Sequence, residues 1–293
     1  MHVSVLKKES IAALRIKSGR WYLDGTFGRG GHTRAILEAG GKVVAFDVDE
    51  QAIQYGQKEF AAEIEAGKLR LVQSNFANLS RELYGMGFDQ PGFVGALFDL
   101  GMSSNQLEES GRGFSFQKDE PLDMRMSQDL GVTAADLVNA LPEKHLKNLI
   151  WENSQETFAR PIAKAIAERR LEQPFRTTKD LAGLITNIKR GRGHTHLHPA
   201  TKVFQALRIA VNMELDNLTV MLDQVLNWLT PGSRLVLISF HEGEDRIVKH
   251  RFQVWEDLGR GVMVGKKPVE PGEEELAGNP RSRSAKLRVF EVV

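Results

Sequence analysis

Leu23-Asp24-Gly25-Thr26-Phe27-Gly28-Arg29-Gly30-Gly31-His32 is the stretch that decides the fold. It follows a short apolar run, Trp21 to Leu23, and leads into a helix-like segment over residues 33–39. Glycines at a strand-to-helix turn let the backbone turn sharply and approach a ligand that side chains would hold off. Asp47 closes the next apolar run, so a glycine loop is followed by an acid at the neighbouring strand end. That pairing grips nucleotide-type cofactors, the loop by close approach and the acid through ribose hydroxyls. A flexible turn would explain one glycine pair; it explains the cluster with Asp47 less well.

Outward from this loop, the runs 43–46, 69–72, 93–98 and 235–240 are short and nearly continuous in apolar residues, as strands buried on both faces are. Helix-like segments, including 33–39 and 51–64, separate the runs 21–23, 43–46, 69–72 and 93–98. The order β-α-β-α-β-α-β predicts a mostly parallel, doubly wound α/β sheet. After Asp99 the alternation stops until Leu235. The gap reads as an inserted small helical subdomain: 133–140 opens with Thr133 and Asp136 in capping-box spacing, 162–170 is amphipathic, and 178–188 starts from a good N-cap. The return path runs from Val203 to Leu229 at helical spacing, as one helix or as two meeting near Asn212, stopped by Pro231-Gly232. Residues 286–293 alternate and pair most simply with 262–264 as an antiparallel C-terminal edge. The expected division is 1–102 and 201–293 for the two parts of the core and 103–200 for the insertion. Glu273-Glu274-Glu275 reads as a solvated loop.

Across 293 residues, 39 basic side chains balance 38 acidic ones, giving a formal net charge of +1, and there is no cysteine. Disulfides, thiolate metal sites and cysteine nucleophiles are thereby excluded. No apolar run approaches the roughly 18 residues of a membrane span, and Lys7, Lys8 and Glu9 interrupt the segment where a signal peptide needs its apolar core. A cytoplasmic protein is expected, with no membrane partner. Local charge is more telling than the total: Lys189, Arg190 and Arg192, with His194, His196 and His198, form one basic cluster, and Arg281, Arg283, Lys286 and Arg288 form another. Such clusters suit RNA phosphates. Arg112, Phe114 and Phe116 offer a cation and rings for an unstacked base, with core packing as the other account of the phenylalanines. The alternating histidines could share a face as metal ligands, but structural zinc sites usually add cysteines, so no metal is expected.

The cofactor can be narrowed further. The dinucleotide fingerprint needs a third glycine where Thr33 stands, which weakens NAD. Asp24, the antiparallel edge and Asp99 at the fourth strand end instead suit S-adenosylmethionine, whose ribose diol and cationic methionyl end favour carboxylates.

Six blocks carry a resemblance: Asp24 to His32, Phe98-Asp-Leu-Gly-Met-Ser-Ser104, Gly111-Arg-Gly-Phe-Ser-Phe116, Pro121-Leu-Asp-Met-Arg-Met126, Phe204-Gln-Ala-Leu-Arg-Ile209 and Asn279-Pro-Arg-Ser-Arg-Ser-Ala-Lys-Leu-Arg288. Together they resemble the MraW/RsmH family over nearly the whole chain. The resemblance implies a class I (Rossmann-like) methyltransferase that uses S-adenosylmethionine to methylate the N4 amine of a cytidine in the decoding region of 16S ribosomal RNA. It implies cofactor contacts at Gly30, Gly31, His32, Asp47, Phe76, Asp99 and Gln106. The partner expected is 16S rRNA or the small ribosomal subunit, with a homodimer as a candidate assembly. Two departures stand out. The family usually carries His-Ser-Leu-Glu-Asp-Arg where this chain has His241-Glu242-Gly243-Glu244-Asp245-Arg246, and the stretch after Met126 lacks the usual Asp-Pro.

Cytosine C5 methylation normally needs a cysteine to add to C6, and the chain has none. An exocyclic amine needs only to be held in line with the methyl, its lone pair freed by hydrogen-bond acceptors. Candidates for that catalytic task are Asp99, read first as a cofactor ligand and second as a catalyst because one carboxylate seldom serves both ends, a backbone carbonyl of the loop that follows it, Ser103 or Ser104, with His241 and Asp245 as candidates for the acceptor pocket. RNA contacts are expected at Arg112, Arg190, Arg192, Arg281, Arg283 and Lys286. An NAD-linked oxidoreductase and an inactive RNA-binding module are the competing classes; Thr33 disfavours the first, the intact glycine loop and Asp47 the second.

Overall fold

The computed structural model describes residues 4–102, 106–107, 111–190 and 198–293. Backbone contacts divide the chain into two compact units, Met1–Gly101 with Leu215–Val293, and Met102–Glu214.

The first unit is built on seven strands: β1 Trp21–Asp24, β2 Lys42–Asp47, β3 Leu69–Gln73, β4 Phe93–Asp99, β5 Leu229–Ser239, β6 Gly261–Met263 and β7 Lys286–Val292. They lie in the order β3-β2-β1-β4-β5-β7-β6. The first five run parallel, and β7 is antiparallel to both neighbours. Alternate residues feed two cores. Leu23, Val44, Phe46, Ala96, Phe98, Leu235 and Leu237 join the one containing Leu218, Phe252 and Trp255. Tyr22, Val43, Ala45, Leu97, Val236 and Ile238 join the one containing Leu14, Ile36 and Phe60. Two-sided burial is why these strands read as continuous apolar runs.

Three local expectations are corrected. Pro231-Gly232 does not stop a helix: the helix Glu214–Gln224 passes into a 3-10 turn, Val225–Trp228, and β5 has already begun at Leu229. Register moves from Phe93↔Leu229 to Gly95↔Arg234, so Pro231 and Gly232, the latter at φ 75°, sit in a bulge. The segment 51–64 is two helices, Glu50–Glu59 and Ala61–Glu65, because Phe60 leaves helical geometry at φ −118°. The acidic segment is a short helix, Glu273–Gly278, and Glu275 Oε1 accepts from the Leu6 N–H at 2.8 Å. The helix Lys7–Leu14 escapes the sequence pattern altogether, whereas Leu79–Gly85 is the helix that the alternation requires between β3 and β4 without fixing its bounds.

The second unit is helical: Ala134–Ala140, Glu143–Ser154, Ala159–Arg169, Thr178–Lys189 and Thr201–Asn212. Thr133 with Asp136 and Thr177 with Asp180 form reciprocal capping boxes. Its core gathers Met124, Val138, Ile150, Ile162, Ile166, Leu181, Val203, Leu207 and Val211. The return path is therefore two helices, parted at Met213, which takes φ 50°. Asn212 secures the break, accepting from the Met126 N–H at 2.7 Å and donating to Met124 O at 2.8 Å. The insertion boundary moves accordingly: the first return helix packs with the insertion, so the unit ends at Glu214 rather than residue 200. Among the described residues no helix is long and apolar enough to cross a membrane.

Candidate functional site

Asp24, Asp47 and Asp99 end β1, β2 and β4, and His241 follows β5, so all four stand at the carboxyl edge of the parallel strands. Open α/β sheets place ligands there. Phe76 opens a 3-10 turn after β3, half-buried, with its ring edge-to-face on Phe98 at 5.8 Å.

The glycine loop is laced to its surroundings. Asp24 is fully buried and accepts from the Thr26 N–H at 3.1 Å and the Thr33 hydroxyl at 2.6 Å. Asp47 accepts from the Gly28 N–H at 2.7 Å and the Asp49 N–H at 2.8 Å. The Phe27 N–H donates to Phe46 O at 2.8 Å, and the Asp99 N–H to the Thr26 hydroxyl at 2.7 Å. Gly30 begins the helix Gly31–Glu38 at φ 71°, and a Cβ there would come within 2.6 Å of the Phe60 ring. No other residue fits without strain. The result is a preorganised backbone cradle at a helix N-terminus.

The carboxyls at this edge are pushed towards their neutral forms. Burial pushes the Asp24 carboxyl up to about 6, against hydrogen bonds that pull it down. Burial likewise takes Asp47 to about 6. Asp99 rises well above the usual carboxylate range, from burial first and then from the charges of Asp24, Glu244 and Glu275. Its Oδ1 is inaccessible to water and has no hydrogen-bond partner among the described residues. Its Oδ2 lies 3.7 Å from His32 Nδ1. His32 is itself buried, with Nε2 at 3.2 Å from Val5 O.

His241 is a helix cap. Its Nδ1 accepts from the Glu244 N–H at 3.3 Å, while Glu244 Oε2 accepts from the N–H groups of Phe240 at 2.8 Å and His241 at 3.3 Å. Asp245 is not a cap: it holds Arg288 through two bonds of 2.6 and 3.0 Å, with Lys286 Nζ at 3.7 Å. Burial opposes ionisation of Asp245, but Arg288 outweighs it and holds the carboxyl below the usual range.

The residues expected to meet RNA separate into kinds. Arg112 is buried and donates to Arg125 O at 3.1 Å and Met126 O at 2.8 Å, with its guanidinium over the buried Phe114 ring, so it is built into the helical unit. Arg190 is exposed and donates to Asn187 Oδ1 at 3.0 Å. Arg281 and Arg283 are exposed, but they lie on a 3-10 turn, Pro280–Ser284, not on an extended segment. At three residues per turn, positions two apart do not share a side, which corrects the expected common projection. Lys189 is spent in a buried ion pair with Glu156 at 2.8 Å. Gln106 is buried in the helical unit. Ser104, Arg192, His194 and His196 lie outside the described residues.

Sequence reading missed Thr26, Thr33 and Glu244. Thr33 registers only as the absence of a glycine, although its hydroxyl anchors Asp24. Glu244 had a readable signal, its spacing three residues after a capping position.

Comparison with known proteins places these features in a family. Residues 1–293 match the MraW methylase family. The chain is 43% identical over 311 residues to "Ribosomal RNA small subunit methyltransferase H" of Geobacter sp. (strain M21), covering 100% of this chain and 98% of that one. It is 45% identical over 300 residues to the protein of the same name from Desulfotalea psychrophila (strain LSv54 / DSM 12343), with the same coverage of 100% and 98%. A crystal structure from Clostridium thermocellum, provisionally assigned as an rRNA methylase, superposes with a TM-score of 0.50 at 11% identity, covering 100% of both chains, and so shares the α/β fold.

Proposed function

The chain belongs to the MraW methylase family over residues 1–293, and from that premise we propose that it transfers a methyl group from S-adenosylmethionine to the N4 amine of a cytidine in the decoding region of 16S rRNA. It is a methyltransferase of small-subunit rRNA; the cytidine N4 acceptor is the finer part of the proposal. The observation that carries the reading is the buried, unpartnered Oδ1 of Asp99 beside the glycine cradle. A buried carboxyl oxygen without a donor costs folding free energy and marks a place where a ligand's donors fit.

The residues present suit the cofactor. Gly30 and Gly31 leave room for its methionyl end, and the raised carboxyl of Asp99 gains a donor or cation from it. Asp47, whose oxygens keep lone pairs beyond those used by Gly28 and Asp49, accepts from ribose hydroxyls. Phe76 covers the adenine face, and His32 joins the contacts. When bound, S-adenosylmethionine would supply an electrophilic sulfonium methyl, with S-adenosylhomocysteine as the leaving group and one N–H proton of the acceptor amine passing to an oxygen acceptor or water.

The protein's part is to position and to polarise. An amine acceptor asks for oxygen acceptors that draw its N–H bonds and free its lone pair, and the strand-end carboxyl of Asp99 and the hydroxyl of Ser104 are the candidates. His241 takes a supporting part, because its Nδ1 is committed to the Glu244 N–H. No cysteine is available for C5 chemistry. Arg190, Arg192, Arg281, Arg283 and Lys286 bind the RNA backbone, whereas the two carbonyls held by Arg112 give it a structural task.

Tritiated methyl transfer tests the reading. Incorporation into the RNA of small-subunit particles, and not into large-subunit RNA, is expected; incorporation into neither would overturn it.

A further inference from the structure

Three rings of the helical unit are layered from core to solvent. Phe204 is buried; Phe116 is half-buried and meets it edge-to-face at 5.0 Å and 78°. His198 lies flat on Phe116, with ring centroids 4.4 Å apart and an interplanar angle of 25°. His198 is exposed even though one face of its imidazole covers Phe116.

This surface ring is held in place. Its Nδ1 accepts from the Ala200 N–H at 3.2 Å, and its carbonyl accepts from the Thr201 N–H at 3.0 Å. Pro199 O accepts from Lys189 Nζ at 3.0 Å, and that ammonium is fixed by buried Glu156. With Nδ1 accepting, a neutral ring carries its proton on Nε2. The side chain has lost its rotamer freedom without being buried. Two exposed cations belong to the same end of the unit: Arg190, which follows Lys189, and Lys202, in the first turn of the helix that His198 precedes. Each donates to a neutral oxygen, Asn187 Oδ1 and Gln155 O, so those contacts leave its charge uncancelled.

An ordered, flat, solvent-facing ring backed by a second ring and set among cations has the makings of a base-stacking platform. We infer that His198, supported by Phe116, stacks on an unpaired nucleobase of the RNA substrate, with Arg190 and Lys202 taking neighbouring phosphates. This rests on the RNA substrate proposed above. Stacking on an aromatic ring tolerates every base, so the platform grips the strand without reading its sequence.

The competing account is structural: His198 caps the helix Thr201–Asn212 and shields Phe116, nothing more. His198→Leu and His198→Phe in the full chain separate the two, since both side chains shield Phe116 but only phenylalanine stacks. The probes are a single-stranded oligoribonucleotide carrying 2-aminopurine, whose fluorescence falls on stacking, and small-subunit particles. The expected result is about tenfold weaker oligonucleotide binding and loss of quenching for His198→Leu, with both retained by His198→Phe. With particles, KM rises for His198→Leu while kcat and S-adenosylmethionine affinity hold. Wild-type-like affinity and quenching for His198→Leu, or failure of His198→Phe to retain them, overturns the platform. If the wild type methylates particle RNA and His198→Leu matches its KM, the platform alone fails. If the wild type methylates none, the proposed function fails and takes the platform with it.

Discussion

Replacing Asp24 by Asn makes the protein more stable above pH 6 and weakens its hold on the cofactor. Asp24 is 0% exposed, and burial lifts its carboxyl from 3.8 to about 6. Because the folded state holds its proton more tightly than the unfolded state, the wild type loses stability as pH rises between those two values, and the loss is complete above about 6. At about 1.4 kcal/mol for each tenfold change in proton affinity, that rise costs the folded wild type roughly 3 kcal/mol. Asparagine keeps two of the local bonds, its oxygen accepting from the Thr26 N–H and its amide donating to the Thr33 hydroxyl, but an amide turned towards Thr33 loses the bond from the Thr33 N–H. The substitution therefore removes the charge together with one backbone bond, and the loss of that bond is independent of pH. Urea unfolding of both proteins at pH 4.5, 6 and 8 reads the difference in stability. From Asp24 itself the gap should move in favour of the variant by about 2 kcal/mol from pH 4.5 to pH 8, while calorimetry at pH 8 shows weaker S-adenosylmethionine binding. The Asp24 charge also helps to raise the carboxyls of Asp47 and Asp99, so its removal lowers both and widens the gap in the same direction. A gap independent of pH would refute the claim that a buried, proton-retaining carboxyl underlies the loop.

Asp47→Ala should weaken S-adenosylmethionine binding by about 1–3 kcal/mol, measured by calorimetry, because it strips both the ribose acceptor and the partner of the Gly28 N–H; unchanged affinity would remove Asp47 from the site. Gly30→Ala, at φ 71° and with a Cβ 2.6 Å from Phe60, should lower stability by about 1–3 kcal/mol and abolish detectable cofactor binding, as thermal unfolding and calorimetry would record. Arg281→Gln and Arg283→Gln project from different sides of their turn, so each alone should flatten the salt dependence of RNA affinity by about one phosphate, and the double variant by about two. A stability loss with an unchanged salt slope would assign them to structure instead.

What the sequence discloses is what is local. β1, β2, β4 and β5 announce themselves because both faces are buried, whereas β3, at the edge of the sheet, buries only Leu69 fully; Asp24, Asp47 and Asp99 are legible as strand-end acids. The antiparallel C-terminal edge follows from alternation in residues 286–293. What escapes it depends on partners far away along the chain. Asp245 could be read as a helix cap until Arg288, 43 residues on, takes its carboxyl. Glu275 belongs in a solvated loop until it meets the Leu6 N–H, 269 residues away. Thr33 fails a glycine pattern, yet its hydroxyl is what the buried Asp24 needs. The 3-10 turn at Pro280–Ser284 is a different failure: two arginines flanking a serine suit an extended backbone equally well, and only the buried Ser282, whose hydroxyl donates to Asn279 O at 2.8 Å, reveals the turn.

The central claim is the acceptor atom, and nucleoside mass spectrometry tests it most directly. Small-subunit particles are incubated with the protein and S-adenosylmethionine carrying a trideuterated methyl group; the 16S rRNA is then digested, and the labelled nucleoside is identified by fragmentation and by co-elution with standards. The label is expected on the exocyclic nitrogen of a cytidine. Label on C5 of cytidine, on a ribose, or on any other base would contradict the claim.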